Sequence, residues 1–241
     1  MRTPKISVII PAFNYGSKLV SAVNSIRSQS IKDVEIVIVN DASNDNTHDI
    51  AQTLIDEKTI YVKNEVNLGV YATLNKGFKI ASGEYLCQLD CDDVLPENSL
   101  FLRVDYLEKH HVEAVHGGII ITRDGKEKYI APINTNDRLQ LKEFLKNSSK
   151  SRGINNATFM YSREVFERIG YPATTAKFFP HNDYEFALRT ILNCKVGIID
   201  EPLYYYRHHD NSHSTNNGQT IASINNFKEL NKLYLSLFEQ S

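Results

Sequence analysis

The chain has 241 residues, 41% of them hydrophobic, which is enough for one substantial core or for two lobes sharing a sheet. Its formal net charge of −2 excludes a general affinity for polyanions, so no nucleic-acid partner is expected. No apolar run approaches the ~18 residues of a membrane span, and three cysteines without a C-x-x-C fit free thiols in a reducing, cytoplasmic setting.

Ile6 to Ile10 is apolar except for Ser7 and fits a strand buried on both faces. It follows a positive start, but it is too short for a signal peptide and stops at Pro11. Pro11-Ala12-Phe13-Asn14 and Tyr15-Gly16 are strong turn chemistry. Leu19, Val23 and Ile26 then mark an amphipathic helix. Val34 to Val39 is a second buried strand. It stops at the polar cluster Asn40 to Thr47, at the N-terminus of a helix carrying Ile50 and Leu54. Ile60 to Val62 is a short third strand. Asn67-Leu68-Gly69 leads into a helix with Leu74, Phe78 and Ala81, closed by Ser82-Gly83. Tyr85, Leu86, Cys87 and Leu89 read as a fourth buried strand, and Asp90, Asp92 and Asp93 follow at its end. Pro96 and Glu97 open a helix with Leu100, Val104 and Leu107.

This alternation with short connections predicts a parallel, doubly wound sheet. The polar clusters at 11–16, 40–47 and 90–93 all end strands, so they should line one crevice along one sheet edge. Three carboxylates gathered there repel one another unless a cation joins them, and oxygen-only ligands suit Mg²⁺ or Mn²⁺. Taken alone, so short a motif reads as a solvated, helix-capping turn. The stretches around it favour a site.

The second half is less regular. Val112 to Thr122 reads as a strand interrupted at Gly117-Gly118, with Asp124-Gly125 turning into a return strand from Glu127 to Ile130. Asp137 to Leu145 is a helix, and Asn147 to Gly153, with Lys150 and Arg152, is a loop. Ala157 to Tyr161 reads as a strand before a short helix with Val165, Phe166 and Ile169. Asp183 starts another helix. Val196 to Ile199 and Leu203 to Tyr206 read as two further strands, and Ile221 to Phe238 has helical apolar spacing.

Six stretches now stand in order: S-V-I-I-P-A-F-N, V-N-D-A-S-N-D-N-T, N-L-G-V-Y-A-T-L-N-K-G, L-D-C-D-D, N-D-Y-E-F-A-L-R and Y-Y-R-H-H-D-N-S-H-S. Each is weak alone. Together they resemble the family 2 glycosyltransferases over nearly all of residues 5–214. The resemblance implies an α/β chain of GT-A fold, a doubly wound, mostly parallel sheet flanked by helices with a smaller mixed acceptor-side region. Residues 1–217 would form one domain, with 1–100 binding nucleotide and 101–217 the acceptor, and 218–241 a C-terminal helix. It also implies a soluble domain that moves one sugar, of hexosyl type, from a nucleoside diphosphate sugar with inversion.

The family's residue roles carry over position by position. Pro11, Ala12, Phe13 and Asn14 match the loop that receives the base, where an aromatic face can stack on uracil. Phe13 replaces a frequent Tyr, so a hydroxyl contact is lost. Asp41 matches the carboxylate that accepts the uracil N3–H, which favours a UDP-sugar, since cytosine has no such hydrogen. Gly69 and Asn75 match the third motif, with Gly69 permitting close backbone approach. Leu74 stands where many members carry Arg, and Lys76 would supply that charge to the diphosphate. Asp90 resembles the residue binding the donor ribose or sugar, with Cys91 beside it. Asp92 resembles the ligand of a Mn²⁺ or Mg²⁺ ion that neutralises the leaving diphosphate. Asp93 would orient its neighbours. Asp183 resembles the general base, although Asn182 replaces the usual acidic residue before it. Arg207, His209 and Ser212 match a late motif that closes over the diphosphate, with Arg207 suited to phosphate geometry and His209 as a metal ligand. Plainer roles stand beside these: Phe13 as core, Asp41 and Asp183 as helix caps, Lys76 as a solvated cation.

The implied acceptor is a glycan or lipid-linked hydroxyl in bacterial surface polysaccharide assembly. The implied location is cytoplasmic, at the inner face of the membrane, with peripheral association. Lys228 and Lys232 are the final helix's only basic residues, so it is not read as an anchor. A competing reading, motivated by Leu74 and Asn182, is a nucleotide-sugar-binding module without transfer that serves a glycan assembly complex. A nucleotidyltransferase would need a Gly-rich, basic phosphate loop where this chain has P-A-F-N-Y-G.

Overall fold

The computed structural model describes residues 4–147, 153–175, 180–208 and 221–240, with backbone only at 221 and 222. The expected alternation forms β1 (Ile6–Ala12), α1 (Gly16–Arg27), β2 (Val34–Asn40), α2 (Thr47–Thr53), β3 (Thr59–Lys63), α3 (Val70–Ile80) and β4 (Tyr85–Gln88). The later elements are α4 (Ser99–His110), β5 (Ala114–Arg123), β6 (Lys126–Ile130), α5 (Arg138–Asn147), β7 (Met160–Ser162), α6 (Arg163–Ile169), α7 (Asn182–Asn193), β8 (Val196–Arg207) and α8 (Ile221–Gln240).

One eight-stranded sheet runs β3-β2-β1-β4-β7-β5-β6, with β8 also paired to β5. The first four strands are parallel, with Ile6 level with both Val34 and Tyr85. β7 enters antiparallel to β4 and to β5, β6 is the hairpin return of β5, and β8 runs parallel to β5. Strand order reverses between β1 and β4, which places a crevice beyond their carboxyl ends.

Period-2 alternation divides the core into two layers. Ile6, Val8 and Ile10 of β1 face Leu19, Val23 and Ile26 of α1, and the same layer holds Leu100, Val104 and Leu107 of α4. Ile9, Val37 and Val39 face the other way, towards Leu74 and Phe78 of α3. That second layer continues through α5, α6 and α7 to α8, whose Phe227, Leu230, Tyr234 and Phe238 are buried. Full burial of each such side chain contributes about 2 kcal/mol.

Local expectations change where tertiary contacts intervene. α4 starts at Ser99 rather than Pro96, because Val94 bridges Tyr205 and the Pro96 carbonyl accepts the Gln29 amide. Asn156–Thr158 is a 3₁₀ turn capped by the Asn155 side chain, so the strand expected from Ala157 starts only at Met160. The two late strands are one, β8, whose register shifts opposite Gly117 and Gly118. Those glycines do not interrupt β5. A Cβ on Gly117 would lie 2.6 Å from the Ile199 carbonyl oxygen, so glycine lets the bulged strand approach. Among the described residues no helix is long and apolar enough to cross a membrane.

Candidate active site

A cleft of about 840 Å³ opens beyond the carboxyl ends of β1, β2 and β4. Pro11, Ala12, Phe13 and Asn14 line it together with Asp41 and Gly69. Asp90, Cys91, Asp92 and Asp93 contribute to it, and Asp183 enters from α7. Ile119, Ile121, Ile154 and Tyr206 add wall from the second half of the chain. Three separate strand ends and one helix start thus meet in one space.

The β1 and β2 loops are tied to each other. Asn14, with φ of 58°, donates from its N–H to Ser43 Oγ at 3.0 Å and accepts from the Asn44 N–H at 2.8 Å. Asp45 accepts from the Gly16 and Thr47 N–H groups, so it serves both helix starts. Phe13 remains 40% exposed, leaving ring surface free at the cleft mouth.

Asp41 does not cap α2. Its Oδ1 accepts from Asn64 Nδ2 at 2.8 Å and the Leu68 N–H at 2.9 Å, and its Oδ2 accepts from the Gly69 N–H at 2.9 Å. Of the roughly four lone-pair positions of a carboxylate, one on Oδ2 stays open. Gly69, at φ of 85°, takes a backbone conformation that favours glycine and starts α3 there.

The turn after β4 is held from behind. The Tyr204 hydroxyl accepts from the Asp90 N–H at 3.0 Å. Arg207 donates from its backbone N–H to Asp93 Oδ1 and from Nε to the Asp92 carbonyl, both at 2.7 Å. Burial pushes Asp90 up to about 7, with the Asp92 and Asp183 carboxylates adding to the effect. Burial likewise raises Asp93, followed by the charges of Asp90 and Asp92. Asp93 is fully buried, so its charge is weakly screened.

Asp183 lies at the start of α7. Its Oδ1 accepts from the Tyr184 N–H at 2.8 Å and from the Tyr71 hydroxyl at 3.3 Å. Burial raises its pKa, and the Tyr184 N–H is the largest opposing influence. The preceding Asn182 donates to the carbonyls of Ala173 and Thr175, so it shapes the chain approaching α7.

Asn75, Lys76 and Arg207 do not line this cleft. Asn75 donates to the Pro172 carbonyl at 2.8 Å and Lys76 to Asn64 Oδ1 at 2.7 Å. Lys76 therefore backs the Asp41 clamp through Asn64. Arg207 is engaged by the Asp92 and Asp93 carbonyls and Ser21 Oγ. Leu74 sits in the α3 core layer at 1% exposure. The expectations for His209 and Ser212, and those for Lys150 and Arg152, fall outside the described residues. Sequence reading missed Asn64, Tyr71, His181 and Tyr204. Tyr71 lies inside a motif already singled out, but its partner is 112 residues away.

Among the described residues no three His, Cys, Asp or Glu side chains are placed to hold a metal ion by themselves. The donor chemistry nevertheless fits a hard divalent cation. Asp90 and Asp92 both line the cleft, and a bound cation would offset the burial, and then the repulsion from Asp92, that raise Asp90.

A model of the family described as "Glycosyl transferase family 2" matches residues 7–170. The uncharacterized glycosyltransferase alr2836 of Nostoc sp. is 32% identical over 93% of this chain and 70% of its own length. An Escherichia coli relative is 23% identical over 94% of this chain and 83% of its own. It is named UDP-Glc:alpha-D-GlcNAc-diphosphoundecaprenol beta-1,3-glucosyltransferase WfgD. The fold matches S. aureus TarS 1-349 in complex with UDP-GlcNAc at a TM-score of 0.72 and 20% identity, covering 95% of this chain and 65% of that one. It also matches the Pyrobaculum calidifontis mannosyltransferase PcManGT, in complex with GDP-Man and Mn²⁺, at a TM-score of 0.65 and 18% identity, covering 100% and 74%. These chains extend beyond the matched region, and this one spans only 62% of a Bacillus subtilis relative, EpsJ. With its sheet order, its cleft and this match, the chain belongs to glycosyl transferase family 2 and is a glycosyltransferase of GT-A fold.

Proposed function

We propose that the chain transfers a sugar, with inversion and with the help of a divalent metal, from a UDP-sugar to a hydroxyl of a glycan or lipid-linked acceptor. The observation that carries this is the position of Asp183. Its carboxylate, raised by burial, opens into the same cleft as the Pro11–Asn14 loop, Asp41 and the Asp90–Asp93 turn. A raised pKa makes an ionised carboxylate a stronger base. The acceptor O–H gives its proton to Asp183 as its oxygen bonds to the anomeric carbon. The bond from that carbon to the diphosphate oxygen breaks on the opposite face, and one in-line displacement inverts the centre.

Phe13 stacks on the base, and the open Oδ2 position of Asp41 accepts the uracil N3–H. One structural neighbour was solved with UDP-GlcNAc and another with GDP-Man, so the fold suits both bases and the choice of uridine rests on Asp41. Asp92 would hold Mn²⁺ or Mg²⁺, with His209 as a second ligand. Such an ion would supply charge neutralisation for the diphosphate as it leaves. The name of the Escherichia coli relative supports a lipid-linked acceptor, and with it work at the cytoplasmic face of the membrane as a peripheral protein.

The test compares wild type with Asp183→Asn. UDP and GDP binding are measured by calorimetry with and without Mn²⁺. Turnover is measured as UDP release from UDP-glucose and UDP-GlcNAc, with water or GlcNAc-diphosphoundecaprenol as acceptor. Metal-enhanced, UDP-selective binding in both proteins, with turnover lost only in Asp183→Asn, is expected. Wild-type turnover in the variant sinks the base assignment, and a GDP preference sinks the uracil reading. UDP binding by wild type without turnover would favour the binding module suggested by Leu74 and Asn182.

A further inference from the structure

We infer that Tyr71 is a positioning residue for the general base, holding Asp183 so that one carboxylate oxygen is committed and the other faces the acceptor. This rests on the reading of Asp183 as the base.

The geometry comes from two helices of different halves. Tyr71 is in the first turn of α3, two residues beyond Gly69, whose N–H is held by Asp41. The turn anchored at the nucleotide end of the cleft therefore carries the phenol. Its hydroxyl donates to the Pro180 carbonyl at 2.8 Å and shares that proton with Asp183 Oδ1 at 3.3 Å. It thereby grips both the chain entering α7 and the carboxylate itself. The second donor to Oδ1 is the Tyr184 N–H. Oδ2 takes no hydrogen bond from another described residue and stays available for a proton. Burial, and then the charge on Asp183, raise Tyr71 well above the usual phenol range, so it keeps its proton and can only donate here. The other titratable groups facing Asp183 are Asp90, His181 and the Tyr161 phenol. Among the groups hydrogen-bonded to the carboxylate, Tyr71 offers the only side-chain donor among the described residues.

Tyr71→Phe keeps the ring and removes the hydroxyl. Its turnover of UDP-glucose or UDP-GlcNAc should fall roughly tenfold, the low end for a hydrogen bond to a charged group because this one is long and shared. The UDP dissociation constant and the KM for donor should not move. Losing a donor to the ionised carboxylate raises its pKa, so the acid limb of kcat/KM should shift to higher pH. Wild-type kcat with a wild-type pH profile overturns the inference. Loss of UDP affinity in step with kcat also overturns it, because a general structural role would then account for both. If Asp183→Asn is inactive while Tyr71→Phe behaves as wild type, only this inference fails. If Asp183→Asn is active, the base reading fails first.

Discussion

Replacing Asp41 by Asn alters the clamp that starts α3 without changing side-chain volume. The carboxylate takes three hydrogen bonds of 2.8 to 2.9 Å at 3% exposure. A carboxamide can keep Asn64 Nδ2 and the Leu68 N–H on its oxygen, but its NH₂ group then meets the Gly69 N–H. One charge-assisted bond is lost, two become neutral, and a buried donor has no acceptor. Together these cost about 2–3 kcal/mol. With 241 residues and an unfolding entropy of about 2.1 cal/mol/K per residue, the melting temperature should drop by about 4–6 °C. The assay is a thermal melt of the nucleotide-free protein, so base recognition cannot contribute. A melting temperature within a degree of wild type would refute the clamp and leave Asp41 with a purely ligand-facing role.

The remaining expectations concern stability. His116 is fully buried and stacked on Phe159, and burial lowers its pKa to about 4. The unfolded chain then binds more protons than the folded one between roughly pH 6.5 and 4, so stability is complete above 6.5 and falls by about 3 kcal/mol on descending through that window. His116→Phe should flatten that part of the urea-midpoint profile against pH, and an unchanged slope would contradict the burial argument. At Gly77 a Cβ would lie 2.4 Å from Ile9 Cγ2 and 3.2 Å from Val39 Cγ2. Gly77→Ala should therefore lose roughly 1–2 kcal/mol in chemical denaturation despite its better helix propensity, and a more stable variant would show that α3 can move off the sheet.

The first half of the chain was legible because its signals are local. A short, β-branched run such as Val34 to Val39 reads as a buried strand, and polar clusters follow three of the strands. Sequential pairing and short crossovers then place these strand ends on one edge, where residues 11–15, Asp41 and residues 90–93 line the cleft. Resemblance added Asp183, which composition and periodicity alone would have left as a residue at a helix start.

The second half was less legible because neighbours distant in sequence decide it. β8 continues through Asp200, Glu201 and Pro202 because Gly117 makes room for Ile199 and Leu203 across the sheet. Nothing in the local pattern distinguishes that from two strands. The same holds for side-chain direction at the site. Lys76 and Arg207 match motif positions, yet Asn64 claims one ammonium and the Asp92 and Asp93 carbonyls claim the guanidinium. The sequence by itself determined that the loops after β1, β2 and β4 meet at one cleft, since the buried strands and their ends are set by periodicity. Only the tertiary structure decided which donors and acceptors face one another, as with Tyr71 and Asp183, because a buried polar group is satisfied by whatever partner the packed fold brings within hydrogen-bond reach.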